Sequence, residues 1–180
     1  MNAVLERNDL DTALPSTSTA IARDLKLNLK RLLEDGALGE DNATLALLAL
    51  ATSTGDGALA AYARVRLVEL DVGAEQIQEA AESAAIMGML NVYYRFRHML
   101  AKDDEYRAAG LRMTALARPA LGKERFEMLA FAVSVLNGCE SCIRSHEKVL
   151  RDAGVSADQV HDLARLAAVV KGLHALTVRG

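Results

Sequence analysis

Phe126-Glu127-Met128-Leu129-Ala130-Phe131-Ala132-Val133-Ser134-Val135-Leu136-Asn137-Gly138-Cys139-Glu140-Ser141-Cys142-Ile143-Arg144-Ser145-His146 reads as two helical patterns joined by one reversal. The first is almost wholly apolar, with Glu127 the only charge between Phe126 and Gly138, and is long enough for a helix buried on most sides. Asn137-Gly138 supplies a left-handed stop. In the second pattern Cys139, Cys142 and His146 fall at helical offsets on one face, continued by Ile143, Leu150 and Ala153. Glu140, Arg144, Glu147, Lys148 and Arg151 take the opposite face, so the thiols and the imidazole point towards protein.

Outward from this hairpin the rest of the chain is also helical in pattern. Ile21, Leu25, Leu29, Leu32 and Leu33 recur at helical spacing. Further stretches suited to helices run over about 40–54, 57–72, 74–88, 89–101, 122–136, 139–153 and 156–177, separated mostly by glycines. Ser156-Ala157-Asp158-Gln159 has capping-box spacing, and Gly154 can end the helix before it. Pro119 is expected at a helix start, after a linker over about 102–118. No alternating strand pattern of useful length occurs, and 4% aromatics, no Trp and 2 Pro fit an all-β protein poorly. The fold class expected is all-α.

The halves resemble each other. Gly55, Gly73 and Gly88 match Gly138, Gly154 and Gly172 at offsets of 83, 81 and 84, in similar contexts. An internally duplicated helical domain is expected: an N-terminal arm over 1–19, partly disordered, then one domain over 20–180. That domain divides into a structural half (about 20–101), the linker, and a catalytic half (about 119–180). The positions matching Cys139, Cys142 and His146 in the first copy are Asp56, Leu59 and Ala63, so only the second copy can do thiol chemistry.

Composition limits the partners. With 180 residues, 51% hydrophobic and 25% charged, the chain can bury a core and is not intrinsically disordered. No apolar run is long enough to span a membrane. A net charge of -3 without a basic block gives no field for nucleic acid or an anionic membrane, and neither partner is expected. Glu6, Asp9 and Asp11 in the first residues leave no secretory signal pattern, so a cytoplasmic location is expected.

The two cysteines stand three residues apart, too close to staple a fold by closing a long loop. Two sulfurs do not complete a four-ligand zinc site. Both thiols with His146 and Glu127 would make an uncommon one, and no metal is expected. Thiol chemistry fits better. A base at i+4 from a thiol is well placed, so His146 can take the proton of Cys142. A helix starting near residue 138 favours thiolate at Cys139 and somewhat at Cys142. A thiol pKa moved from about 8.5 to about 6 or 7 gives a substantial thiolate fraction at neutral pH. Glu127, an expensive isolated carboxylate, lies about 15 Å back from the turn and His146 about 12 Å forward, at about 1.5 Å per residue. An antiparallel hairpin therefore sets them side by side, and the carboxylate can hold one imidazole nitrogen while the other serves as the base for Cys142. His98, His161 and His174 have no acid or thiol at telling spacing and read as surface or packing residues. Met87 to Tyr94 reads as core or subunit interface.

The segment from Phe126-Glu127 through Asn137-Gly138-Cys139-Glu140-Ser141-Cys142 to His146-Glu147 resembles the alkyl hydroperoxidase D (AhpD) family of the carboxymuconolactone decarboxylase-like superfamily. Asp24-Leu25-Lys26-Leu27-Asn28-Leu29, Ala84 to Met89, Asn91-Val92-Tyr93-Tyr94-Arg95 and Leu111-Arg112-Met113 extend the likeness over about 20–175. The resemblance implies a homotrimer and an antioxidant thiol peroxidase with no bound cofactor. It implies that a Cys139–Cys142 disulfide is reduced by dihydrolipoamide on a lipoylated acyltransferase subunit. The dithiol would then reduce a hydroperoxide or regenerate a peroxiredoxin, alkyl hydroperoxide reductase C. By the same resemblance Cys142 attacks peroxide and becomes a sulfenic acid, Cys139 supplies a proton and closes the disulfide, and Glu127 with His146 forms the relay. Ser141 stands where some members have His, and it cannot act as a base near neutral pH. Two other readings of the residues stay open: a decarboxylase-like lyase with His146 as acid–base group and incidental thiols, and a redox-sensing helical protein without turnover.

Overall fold

A computed structural model describes residues 9–16, 18–102 and 104–177, and every regular element among them is helical. The helices are α1 (Leu10–Ala13), α2 (Ala20–Glu34), α3 (Glu40–Thr54), α4 (Gly57–Glu69), α5 (Ala74–Leu100), α6 (Lys123–Asn137), α7 (Glu140–Asp152) and α8 (Ala157–Thr177). A single 3-10 turn, Thr114–Ala117, interrupts the segment between α5 and α6.

The two most apolar helices lie at the centre. α3 buries every residue from Ala43 to Ala51, and α6 buries Phe126 and Met128 to Ser134. They pack on each other, α4 packs on α3, and α7 packs on α6. The long helices α5 and α8 each lie against both central helices, and α2 closes over α8. At about 25 cal/mol per Å² the burial of this Leu- and Ala-rich centre is the main stabilising contribution.

The duplication is plain in the element boundaries. α3 and α6, α4 and α7, and the starts of α5 and α8 are each offset by 83 residues. Both central helices begin after a glycine of positive φ, Gly39 at 75° and Gly122 at 76°. Both end at a left-handed glycine, Gly55 at 78° and Gly138 at 66°. The constant offset corrects two of the glycine pairings. The left-handed counterpart of Gly154 is Asp71 (φ 59°), and Gly88 and Gly172 lie inside α5 and α8.

Gly88 therefore does not divide 74–101 into two helices. A glycine costs a helix interior only about 1 kcal/mol, and the flanking residues carry α5 through it. Gly172 has a packing reason, since a Cβ there would stand 2.8 Å from Leu25 Cδ2 on α2. Pro119 belongs to the turn closed by the Gly122 N–H on its carbonyl (3.0 Å), and α6 starts four residues later. The capping box forms in both directions, Ser156 N–H to Gln159 Oε1 at 2.9 Å and Gln159 N–H to Ser156 Oγ at 3.1 Å. Of the arm over 1–19, for which partial disorder is expected, residues 1–8 and 17 lie outside the described residues. Leu10 and Leu14 of the arm are buried in the core. No described helix is long and apolar enough to cross a membrane.

Candidate active site

The hairpin between α6 and α7 is built from backbone. Gly138 N–H bonds the Val135 carbonyl and Cys139 N–H bonds the Ser134 carbonyl, both at 3.1 Å, which is the Schellman arrangement with Gly138 in its left-handed position. Cys139 then serves as the N-cap of α7, its carbonyl accepting from Ile143 N–H at 2.9 Å. A helix end and a helix start thus meet at one residue.

Cys139 and Cys142 form a disulfide, with Cα atoms 5.3 Å apart. Cys139 is fully buried and Cys142 is 6% exposed. The first half offers an internal comparison. There the N-cap of α4 is Asp56, whose carboxylate accepts from Leu59 N–H at 3.1 Å. Cys139 occupies the same place on α7, and no side chain caps that helix. The sulfur stands where the duplicated fold elsewhere holds an anion, at the positive end of a helix, a place that favours a thiolate by about 0.3–1 kcal/mol. Ser141 Oγ lies 3.7 Å from Cys139 Sγ, so the residue that cannot act as a base still touches the sulfur.

Glu127 and His146 meet as the hairpin geometry requires. Glu127 Oε2 is 2.6 Å from His146 Nδ1, each side chain 20% exposed. With the carboxylate ionised, Nδ1–H donates to it and Nε2 is left as the acceptor. His146 stands one turn beyond Cys142 on the same helix. Glu127 also lines a groove of about 410 Å³ with Lys123, Glu124, Val149 and Asp152. Of the apolar stripe on α7, Leu150 is buried, whereas Ala153 is exposed at the helix end.

Sequence reasoning missed a second set of residues behind the turn. On α5, Asn91 Nδ2 donates to Ser134 Oγ at 2.9 Å, and its Oδ1 accepts from Asn137 Nδ2 at 3.0 Å. One turn on, Arg95 Nη1 donates to the Asn137 carbonyl at 2.7 Å. Their signal was an Asn in a run read as core or subunit interface and an Arg four residues on, just past its end. His98 is exposed, with its Nε2 3.6 Å from Glu140, and His161 is exposed. Among the described residues no group of three or more His, Cys, Asp or Glu is placed to hold a metal ion.

The class of this fold and site emerges from comparison with known proteins. The model of the carboxymuconolactone decarboxylase family matches residues 106–178, a span that holds α6, α7 and α8 complete. Proteins named alkyl hydroperoxide reductase AhpD match much more of the chain. The one from Anaeromyxobacter dehalogenans is 45% identical over 151 residues, 83% of this chain and 80% of its own. That from Gluconacetobacter diazotrophicus is 40% identical, covering 86% and 84%, and that from Mycolicibacterium smegmatis 40%, covering 92% and 91%. The chain belongs to the AhpD family of alkyl hydroperoxide reductases.

Proposed function

We propose that the protein is a thiol-dependent alkyl hydroperoxide reductase working through Cys139 and Cys142. The observation that carries this is the Glu127–His146 pair standing beside a CxxC disulfide at the start of α7. In the reduced form His146 Nε2 takes the proton of Cys142, and Glu127 holds the imidazolium that results. The Cys142 thiolate attacks the terminal peroxide oxygen, the O–O bond breaks, the alkoxide leaves as alcohol with a proton supplied by the Cys139 thiol, and Cys142 becomes a sulfenic acid. The Cys139 thiolate attacks that sulfur, hydroxide leaves as water with the proton held on His146, and the disulfide forms. An external dithiol then reduces the disulfide by two exchange steps and becomes a disulfide itself.

Dihydrolipoamide on a lipoylated acyltransferase is the donor proposed from the family resemblance, with a peroxiredoxin as a second acceptor of electrons. A homotrimer and a cytoplasmic location are proposed on the same ground. Self-association has support in the exposed apolar side chains Met89, Val92, Phe96, Met99 and Leu100 of α5. The deciding experiment measures peroxide consumption with lipoamide and its dehydrogenase, with and without a cognate peroxiredoxin, for the wild type and for Cys142→Ser and Cys139→Ser. Turnover that needs both cysteines supports the proposal. Full activity in Cys142→Ser defeats it, and a rate that appears only with the peroxiredoxin makes the protein an adaptor. The name of the matching family model favours, as second reading, a lyase with His146 as its acid–base group. Activity indifferent to thiol alkylation would select it.

A further inference from the structure

Two helix ends of opposite sign meet at Cys139. The N-terminus of α7 favours a thiolate there, while the C-terminus of α6, with the Ser134, Val135 and Asn137 carbonyls, disfavours one. Asn137 and Cys139 are two residues apart, so their Cα atoms lie within about 7 Å. On α5, Arg95 places its guanidinium on the Asn137 carbonyl at 2.7 Å. Arg95 is half-buried, and among the described residues its guanidinium makes no ion pair with a carboxylate and donates to that carbonyl. Asn91, one turn earlier, fixes Ser134 and the Asn137 side chain.

The first half shows that the turn does not need these bonds. α3 ends in the same Schellman turn, with Gly55 N–H on the Thr52 carbonyl (3.2 Å) and Asp56 N–H on the Ala51 carbonyl (2.9 Å). The counterparts of Ser134 and Asn137 there are Ala51, which has no polar side chain, and Thr54, whose hydroxyl donates to carbonyls of its own helix. The counterpart of Asn91 is His174, whose Nδ1 makes no hydrogen bond. The cross-helix network occurs in the half that carries the cysteines.

We infer that Arg95, held in register by Asn91 and Asn137, is a positioning residue that sets the redox equilibrium of the Cys139–Cys142 pair. It neutralises the negative end of α6, so the positive end of α7 acts unopposed and the reduced, thiolate-bearing form is stabilised against the disulfide. The inference rests on the thiol–disulfide reading of the site and concerns how oxidising that pair is.

The test equilibrates the full-length protein with mixtures of dithiothreitol and its cyclic disulfide and counts free thiols. At each point protein disulfide plus dithiothreitol exchanges with protein dithiol plus oxidised dithiothreitol, so two electrons and two protons balance. Arg95→Met is expected to shift the equilibrium roughly three- to tenfold towards the protein disulfide, a tenfold shift being about 30 mV. Arg95→Lys is expected to recover most of the shift, since charge and not only shape matters. Should Arg95→Met not fold, Arg95→Gln keeps a donor for the Asn137 carbonyl, removes the charge, and should shift the equilibrium alike. An unchanged equilibrium in the charge-removing variants overturns the inference, as does Arg95→Lys shifted as far as Arg95→Met. If the wild-type pair cannot be cycled between thiol and disulfide at all, it is the reading of the site that fails.

Discussion

Glu127 and His146 are nineteen residues apart and sit on different helices, yet Glu127 Oε2 lies 2.6 Å from His146 Nδ1. The contact joins the otherwise apolar helix α6 to the amphipathic helix α7 and makes an isolated carboxylate useful. Removing either partner separates catalysis from folding. Glu127→Gln and His146→Gln should each lower the second-order rate of peroxide reduction by about 10²-fold or more, the usual contribution of a positioned base. Stopped-flow measurement of thiol oxidation, beside a circular dichroism spectrum that stays helical, checks this.

The two cysteines should differ in what they leave behind. Cys142→Ser should show no peroxide turnover. Cys139→Ser should still react once and then accumulate a sulfenic acid or a mixed disulfide on Cys142, because the partner that closes the disulfide is gone. Mass spectrometry after one equivalent of peroxide, with a sulfenic-acid trapping reagent, distinguishes the two.

Asp56 offers a control in the half without thiols. Its carboxylate caps α4 by accepting from Leu59 N–H, so Asp56→Ala should cost about 1 kcal/mol. For a chain of this size that corresponds to a fall in Tm of roughly 2–4 °C. Calorimetry should find this loss while the Cys139–Cys142 equilibrium stays where it was.

Asp162 is a buried carboxylate of purely structural use. It accepts from Ala37 N–H at 2.8 Å and from Arg165 Nη1 at 2.8 Å, tying the loop between α2 and α3 to α8. Asp162→Ala leaves a backbone donor unpaired and should destabilise by about 2–3 kcal/mol. Urea unfolding should show the midpoint fall at unchanged slope.

The fold was legible where local signals agree with tertiary packing. The Gly55 and Gly138 stops, the Ser156–Gln159 box and the largely apolar runs of α3 and α6 each have one local solution, and the structure adopts it. Gly88 misled because a glycine is a strong stop only where the chain must turn, and α5 runs on through it, packed on both central helices. Pro119 misled because a fixed φ suits a turn as well as a first helical residue. At the site, Glu127, Cys142 and His146 could be found because their spacing obeys one helical period and one reversal. Asn91 and Arg95 could not. Their partners, Ser134 and Asn137, lie more than forty residues away, and only the placement of α5 against α6 brings the pairs together.

The crossing of α5 and α8 over both central helices also bears on how the molecule can be cut. Each half lends its longest helix to the other, so a fragment holding α6, α7 and α8 alone, though it contains every reacting group, would expose the flank of α6 that α5 covers. The two units therefore repeat one order of helices but are not modules that can be separated. A minimal redox peptide taken from this protein would have to carry α5 with it.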